Sequence, residues 1–339
     1  MSYPAPLHAV WELTLRCNLR CRYCGSAAGR ARDDELSTDE SLRLCEAIRR
    51  LGVGRVTLMG GEPFLREDWA AIVAKLQQLG QPVDIISNGQ LCDRATVRTL
   101  RQHDVYGLSL SLDGPEPVHD DLRARPGAFG RVARAVEHAQ EAGLRVGIVT
   151  HVNRANLPFL DPMYELLASW AVDGWQLQLT SPLGYAAGTD CLVPESAILE
   201  LHAWALAKQR VARLHLYFAD DIGYFHSDEP ILRSGQAEPS VWAGCPAGLH
   251  SFGIASNGGI RGCLSLPETF TEGNVRERPL REIWADPALF AYNRRPEPLQ
   301  GGCTGCVYGK ICRGGCRSFT YAASGRFGDM THCWYRLTR

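Results

Sequence analysis

The chain has 339 residues, 45% of them hydrophobic, which allows a barrel of about 200 residues and an appended module. Its formal net charge of −1 argues against a nucleic acid or an acidic membrane as a partner. No apolar run approaches the roughly 20 residues that span a bilayer, and residues 1–6 lack the pattern of a signal peptide. We therefore expect a cytoplasmic protein with neither a membrane nor a nucleic-acid partner.

Strand-like and helical segments alternate over the first half of the chain. The predicted strands are 10–15, 56–58, 83–86, 107–112, 146–149 and 176–179. The predicted helices between them are 38–51, 67–79, 94–103, 131–142 and 157–170. These repeated units indicate an α/β fold with a parallel sheet, either doubly wound or a partial (β/α)6 TIM-like barrel. In both folds, ligands bind beyond the carboxyl ends of the strands.

The pattern changes after residue 182. A helix at 195–208 and a strand at 214–218 are predicted next, and a region rich in glycine and cysteine follows. We expect three parts: a barrel over 1–185, a bridging segment over 186–244 and a cysteine-rich domain over 245–339.

Thirteen cysteines are present, and clustered cysteines in a reducing cytosol more often bind metal than form disulfides. Cys17, Cys21 and Cys24 follow the first predicted strand and can hold three corners of a [4Fe–4S] cube. A structural zinc site is the alternative, but it needs four ligands and no fourth cysteine lies nearby. Ligation by three cysteines leaves one iron free to take an external ligand.

This Cys-x3-Cys-x2-Cys loop, with Tyr23 before its last cysteine, resembles that of the radical S-adenosylmethionine (SAM) superfamily. The resemblance implies that the open iron chelates the amino and carboxylate groups of SAM. Reductive cleavage of SAM then gives a 5′-deoxyadenosyl radical that abstracts hydrogen from unactivated C–H bonds. The cofactor performs this difficult chemistry, while the protein orients and shields it.

Motifs at the ends of the later strands resemble the SAM-binding segments of the same family. The sequence Gly-Gly-Glu-Pro, which binds the methionine amino group in that family, follows the second strand, and its glycines allow close backbone approach. By resemblance, Arg123 meets the SAM carboxylate, a role suited to its planar charged fork, and Tyr23 lies against adenine. The residues implied to bind SAM are Tyr23, Gly60, Gly61, Glu62, Pro63, Ser87, Asn88, Ser111, Asp113 and Arg123.

Seven later cysteines have a spacing that resembles the SPASM domain, which carries up to two auxiliary [4Fe–4S] clusters. A zinc ribbon is the alternative, but it would leave one cysteine unused. By resemblance, the outer cluster takes four ligands, Cys303, Cys306, Cys312 and Cys333. The inner cluster takes Cys245, Cys263 and Cys316, and its fourth iron is open or bound by another group. The chain is thus expected to use SAM and three [4Fe–4S] clusters.

SPASM proteins mostly modify peptides, so the resemblance implies hydrogen abstraction from a ribosomally made precursor peptide, leading to crosslinking, excision or oxidation. The splicease and crosslinking maturases are the subgroups most similar in this respect. The barrel starts close to Met1, so we expect a separate small protein to recognise the peptide leader. The chemistry also implies an external electron donor such as flavodoxin or ferredoxin.

Three other functions stay open at this point. They are an anaerobic sulfatase-maturing type of enzyme, a radical SAM dehydrogenase of a small-molecule or cofactor pathway, and a non-catalytic iron–sulfur electron carrier. The Gly-Gly-Glu-Pro loop and the other SAM-binding motifs argue against a carrier, which needs no open iron.

Asp220 and Asp221 lie beside aromatic residues between the barrel and the cluster domain, and one of them is a candidate base after hydrogen abstraction. A solvated pair of loop acids is the alternative. We interpret Cys45 and Cys92 as small buried hydrophobic residues, and His151 as structural or exposed.

Overall fold

The computed structural model describes residues 3–219, 222, 224–233 and 241–339. Within this part of the chain, one sheet contains ten strands. In chain order they are β1 His8–Glu12, β2 Arg55–Met59, β3 Val83–Ser87, β4 Gly107–Ser111, β5 Val146–Val152, β6 Gly174–Leu179, β7 Leu216–Phe218, β8 Ser251–Ile254, β9 Gly259–Arg261 and β10 Gly273–Asn274.

The strand order in the sheet is β10-β9-β8-β1-β2-β3-β4-β5-β6-β7, and β1 to β7 are parallel neighbours in sequence order. A doubly wound sheet reverses its order at a switch point, whereas here each crossover leads to the next strand on the same side. This winding is that of a TIM-like barrel and confirms the predicted fold class. The sequence predicted six strands in this run and a further strand at 214–218, which is β7 and pairs beyond β6. The structure adds β8 beyond β1.

Helices connect the parallel strands and continue into the C-terminal part. The described helices are α1 Thr38–Leu51, α2 Trp69–Gln78, α3 Arg94–Gln102, α4 Glu116–Leu122, α5 Ala128–Glu141, α6 Leu160–Ser169, α7 Ala197–Val211, α8 Glu229–Leu232, α9 Leu280–Ala285, α10 Ala291–Arg294, α11 Gly309–Cys312, α12 Arg317–Ser324 and α13 Trp334–Leu337. None of them is both long and apolar enough to cross a membrane, within the described ranges.

Local sequence explains where α1 begins and ends. Ser37 caps its first turn in a capping box with Glu40, and Gly52 ends it in the left-handed conformation at φ 80°. Leu44, Cys45 and Ile48, which lie about one turn apart, are buried on one face of the helix. The burial of Cys45 agrees with its interpretation as a core residue.

The strands alternate between two faces, and in β6 the alternation separates the core from the barrel interior. Trp175, Leu177 and Leu179 are buried, whereas Gln176 and Gln178 point to the other face and are partly accessible. Side chains from the sheet, the helices and the cysteine-rich region form one continuous hydrophobic core. The polar face of β6 therefore belongs to the interior of the barrel, where the site is expected.

Two features connect distant parts of the chain. Strand β8 pairs in parallel with β1, with Ser251 opposite His8, so the cysteine-rich region extends the same sheet. Strand β7 lies within the segment 186–244, which was expected to act as a bridge, and it pairs in register with β6. The three-part division stays a prediction, although the sheet itself is continuous across it.

Candidate active site

The three-cysteine loop begins where β1 leaves the sheet. Leu13 still donates its backbone N–H to Met59 in β2, and the chain then turns into the loop. Arg16 pairs with Gly29, and the Cys17 N–H donates to the Gly29 carbonyl at 3.1 Å, which closes the loop at its base. The cysteines are therefore held beyond the carboxyl end of β1, as the winding of the sheet requires.

Each sulfur of this loop has an N–H donor nearby. The backbone N–H of Leu19 donates to Cys17 Sγ at 3.4 Å and that of Ala28 to Cys24 Sγ at 3.5 Å. A nitrogen of the Arg123 guanidinium lies 3.6 Å from Cys21 Sγ. Such donors stabilise thiolate ligands of iron–sulfur clusters, so the residues present fit a cluster held by three cysteines.

Burial favours the protonated form of two thiols in this loop. Burial raises the pKa of Cys17 to about 11, and the neighbouring thiols of Cys21 and Cys24 contribute in the same direction. Burial also raises the pKa of Cys21, against the lowering effect of Arg123. Iron binding would displace these protons, so cluster assembly is coupled to proton release.

The two glycines of the Gly-Gly-Glu-Pro loop pack against the tail of β1. A Cβ on Gly60 would lie 2.3 Å from the Thr14 carbonyl oxygen, and one on Gly61 would lie 2.3 Å from that of Arg16. The Gly61 and Glu62 N–H groups donate to these same two carbonyls at 2.8 Å. Close backbone approach was predicted here, and its partner is the chain that leads into the cysteine loop.

Glu62 is fully buried and its carboxylate accepts three hydrogen bonds. The donors are Ser87 Oγ at 2.9 Å and the backbone N–H groups of Asn88 at 2.8 Å and Phe64 at 3.3 Å. Burial raises the pKa of Glu62 to about 7, although these donors and the more distant Arg123 lower it. A carboxylate poised in this way can accept a hydrogen bond from an amino group.

Asn88 connects this loop with the cysteine loop. Its side-chain amide donates to Asn18 Oδ1 at 2.7 Å and lies 3.8 Å from Cys17 Sγ. Of the other residues predicted to bind SAM, Pro63 starts a short 3-10 turn after Glu62, and Ser111 ends β4. The structure thus brings the ends of β1, β2, β3 and β4 to one place.

A buried polar network joins the first and fourth strands. Asp113 accepts hydrogen bonds from the Tyr23 hydroxyl and from Arg123 Nε at 2.7 Å. Burial opposes ionisation of Asp113, but Arg123 and His119 hold its pKa below the usual value. Arg123, expected to meet the SAM carboxylate, is thus anchored by Asp113 and directed toward Cys21.

His151, interpreted from the sequence as structural or exposed, lies in this site. Its ring centroid is 5.3 Å from that of Tyr23, and its backbone N–H donates to Asp113. Burial lowers the pKa of His151 to about 4, so the ring is neutral at physiological pH. The Gln178 amide nitrogen lies 2.6 Å from His151 Nε2, and Gln176 donates to Gln178 Oε1 at 3.2 Å.

We call His151, Gln178 and Gln176 the amide ladder. The sequence interpretation missed the role of His151 because a lone histidine on a strand resembles an ordinary core residue. The alternation of two glutamines in a buried strand is the signal that could have indicated a polar interior face. The ladder runs from Tyr23 toward a cavity of about 730 Å³, which Gln176 and Tyr217 line on the barrel side.

The opposite wall of this cavity belongs to the cysteine-rich region. Cys245 and Arg313 line it there, together with Trp242 from the end of the segment 186–244. Its volume falls within the range of about 300–1,000 Å³ that is usual for small-ligand sites. The cavity therefore lies between the barrel interior and the first cysteine of the predicted inner set.

The four cysteines of the predicted outer set influence one another. Burial raises the pKa of Cys312 to about 12, and the Cys333 and Cys303 thiols add to the shift. Burial likewise raises the pKa of Cys333 to about 11, with contributions from Cys303 and Cys306. Their mutual proximity fits a shared cluster.

The inner set is linked through its neighbours. Burial raises the pKa of the Tyr292 hydroxyl, and the nearby charges of Cys245 and Cys263 raise it further, so both cysteines lie close to this group. Cys316 Sγ lies 3.2 Å from Ser318 Oγ. Among the described residues, no three His, Cys, Asp or Glu side chains converge as the ligands of one metal ion do. In a [4Fe–4S] cube each thiolate binds a different iron, so its ligands surround the cube.

The remaining residues separate into two groups. Cys92 is buried in the core, as predicted, whereas Cys191 packs beside the three-cysteine loop. Asp220 and Asp221 lie outside the described residues, so the proposed base stays a prediction.

Comparison with known proteins defines the class of the chain. The model of the radical SAM superfamily matches residues 11–158, and that of the SPASM iron–sulfur cluster-binding domain matches residues 245–307. A curated relative is 32% identical over 98% of this chain. The chain belongs to the SPASM-containing radical SAM enzymes: it uses SAM and a [4Fe–4S] cluster, and its SPASM domain binds auxiliary iron–sulfur clusters.

That relative is the AdoMet-dependent heme synthase of Methanosarcina barkeri, of which the match covers 97%. The mycofactocin maturase MftC of Mycolicibacterium smegmatis is 30% identical over 92% of this chain and 78% of its own length. Among solved structures, SuiB of Streptococcus suis bound to precursor peptide SuiA has a TM-score of 0.79 and 22% identity. This alignment covers 98% of this chain and 76% of SuiB. The chain is thus similar in sequence to a heme synthase and to a mycofactocin maturase, and it shares its fold with SuiB.

Proposed function

We propose that this enzyme abstracts hydrogen from a residue of a ribosomally made precursor peptide. The amide ladder is the observation that carries the proposal. It leads from Tyr23 through His151, Gln178 and Gln176 to the cavity beside Cys245, and none of its side chains is charged. Primary amides both donate and accept hydrogen bonds, so they match the backbone amides of a peptide.

The proposed site residues divide the work of holding SAM. Cys17, Cys21 and Cys24 would hold the cluster, which with SAM would supply the 5′-deoxyadenosyl radical. Glu62 would accept a hydrogen bond from the amino group of SAM. Tyr23 would lie beside the adenine, and its position is fixed by the hydrogen bond to Asp113 and by the Arg123 guanidinium over its ring at 5.5 Å. The neutral ring of His151 then separates this site from the substrate side without adding charge.

The auxiliary clusters are proposed to handle electrons. An external donor such as flavodoxin or ferredoxin would supply the electron for SAM cleavage, and hydrogen abstraction would leave a radical on the substrate. Crosslinking or oxidation requires the substrate radical to lose a further electron and a proton. Cys245 lines the cavity, and the cluster that Cys245, Cys263 and Cys316 are predicted to hold is the proposed electron acceptor. Asp220 or Asp221 stays the predicted base, and the separate leader-recognition protein also stays a prediction.

A tetrapyrrole acid is the second candidate substrate. Two observations favour it: the nearly full-length similarity to a heme synthase, and Arg313 in the cavity wall, which could pair with a carboxylate. The two candidates differ in the interactions they need, because a peptide uses the neutral ladder and a porphyrin carboxylate uses the cation.

One experiment separates these candidates. The reconstituted enzyme is incubated anaerobically with SAM and dithionite, together with peptides encoded beside its gene or with carboxylated iron porphyrins. The expected result is 5′-deoxyadenosine formation stimulated by one peptide, with a change in that peptide's mass. Gln178→Leu should weaken this stimulation without changing SAM affinity, whereas Arg313→Gln should have little effect. Stimulation by porphyrins alone, abolished by Arg313→Gln, would establish the second candidate instead.

A further inference from the structure

Arg317 occupies an unusual position among the SPASM cysteines. It directly follows Cys316 at the start of α12, and only 2% of its surface is exposed. Its Nε donates to Asn293 Oδ1 at 2.7 Å. The Asn293 amide in turn donates to the carbonyl oxygens of Ala247 at 2.7 Å and Cys245 at 3.3 Å. The guanidinium is thus fixed between the Cys245 loop and the Cys316 turn.

The charge of this guanidinium has no carboxylate partner. Among the residues that the structure describes, no Asp or Glu oxygen lies at ion-pair distance, and Nη2 has no hydrogen-bond acceptor. Arginine stays protonated inside proteins, so it cannot avoid the cost of burial by losing its proton. A buried cation of this kind requires a nearby negative charge.

The cysteines of both predicted auxiliary clusters surround it. Burial and the neighbouring Arg313 cation lower the pKa of Arg317, whereas the charges of Cys245, Cys312 and Cys316 raise it. Cys245 and Cys316 are assigned to the inner cluster and Cys312 to the outer one. A cluster with thiolate ligands carries net negative charge, which increases when the cluster is reduced. A fixed cation beside it therefore favours the reduced state.

We propose that Arg317 is a positioning residue shared by the two auxiliary clusters, where its guanidinium raises both reduction potentials. This inference rests on the cysteine assignments of the proposed function. It does not depend on which substrate the enzyme uses, because both clusters can be observed without one.

The test measures reduction potentials instead of turnover. Cys17→Ala removes one ligand of the SAM-binding cluster, so the auxiliary clusters can be titrated in that background by electron paramagnetic resonance without SAM or substrate. Arg317→Met should retain the iron content of the background and shift the potentials of both clusters to more negative values. Arg317→Lys keeps the charge but loses the fork, so its shift should have the same sign and be smaller. Arg295→Met, which removes an exposed arginine of the same domain, should leave both potentials unchanged.

Unchanged potentials in an iron-replete Arg317→Met protein would overturn the proposal, and so would a shift confined to one cluster. If Arg317→Met loses iron, Arg317→Lys decides: potentials equal to those of the background refute the inference. An iron content in the Cys17→Ala background well below that of two clusters would overturn the cysteine assignments themselves. That result would leave the SAM chemistry and the peptide substrate to be judged by their own assay.

Discussion

The buried ion pair of Asp113 and Arg123 offers a quantitative test of the proposed SAM site. Asp113 is fully buried and Arg123 is 7% exposed. Nitrogens of the Arg123 guanidinium lie 2.7 Å and 2.5 Å from Asp113 Oδ2, and the His151 N–H donates to the other carboxylate oxygen at 3.1 Å. In Asp113→Ala the guanidinium would stay buried without a carboxylate.

The expected cost follows from that burial. Removing one partner of a buried ion pair lowers the free energy of unfolding by about 3–5 kcal/mol, because the other charge is left without compensation. Tyr23→Phe removes only one hydrogen bond to the same carboxylate and should cost about 1 kcal/mol. The double variant Asp113→Ala, Arg123→Met removes both charges. It should be at least about 1 kcal/mol more stable than the sum of its single variants predicts.

Urea unfolding under anaerobic conditions, followed by tryptophan fluorescence, measures these free energies. Glu141→Ala is the matched control, since it breaks the Arg94–Glu141 pair, whose side chains are 65% and 56% exposed. That exposed pair should contribute at most about 1 kcal/mol. If Asp113→Ala costs no more than Glu141→Ala, or if the double variant is additive, the assignment of a buried charge pair at this site is wrong.

Three further predictions concern the loops around this pair. Cys17→Ala should lower the iron content by about one four-iron cluster and abolish 5′-deoxyadenosine formation, whereas Cys45→Ala, a core cysteine, should retain both. Gly60→Ala should destabilise the protein by about 1–3 kcal/mol because the new Cβ meets a carbonyl oxygen at 2.3 Å, while Gly130→Ala in helix α5 should be neutral or stabilising in the same urea assay. Because burial raises the Glu62 pKa from 4.5 to about 7, the protonated form of Glu62 stabilises the fold. That stabilisation is lost as the pH rises from about 4.5 through 7. SAM binding, in contrast, requires the carboxylate form. The SAM dissociation constant from calorimetry should therefore fall about tenfold between pH 6 and 8, and Glu62→Gln should abolish that difference; equal pH dependence in both proteins would contradict the role of Glu62.

Local signals predicted the elements best. Helix α1 was predicted with the bounds that the structure has, because the Ser37 capping box and Gly52 specify both ends within the chain itself. Strand β1 was predicted to extend to residue 15 but ends at Glu12. The residues after Glu12 leave the ladder to lead into the cysteine loop, and hydrophobic alternation cannot reveal that departure.

Non-local contacts account for what the sequence did not reveal. The pairing of β8 with β1 joins residues more than 240 positions apart, and no local pattern specifies it. His151 acquires its role from Tyr23 and Gln178, which come from other strands or loops. Conversely, the Gly-Gly-Glu-Pro motif could be recognised from sequence, but the backbone that its glycines approach became known only from the structure.

The pairing of β8 with β1 also fixes a distance. The three-cysteine loop lies beyond Glu12 at the carboxyl end of β1, while Ser251, opposite His8, follows the Cys245 loop at the amino end. Five strand residues at 3.3 Å each separate these ends by about 16 Å. The predicted SAM-binding centre and the predicted inner auxiliary centre thus adjoin opposite ends of one strand. The strand thus acts as a rigid spacer between the two predicted centres, because the length of an extended backbone is set by its covalent geometry.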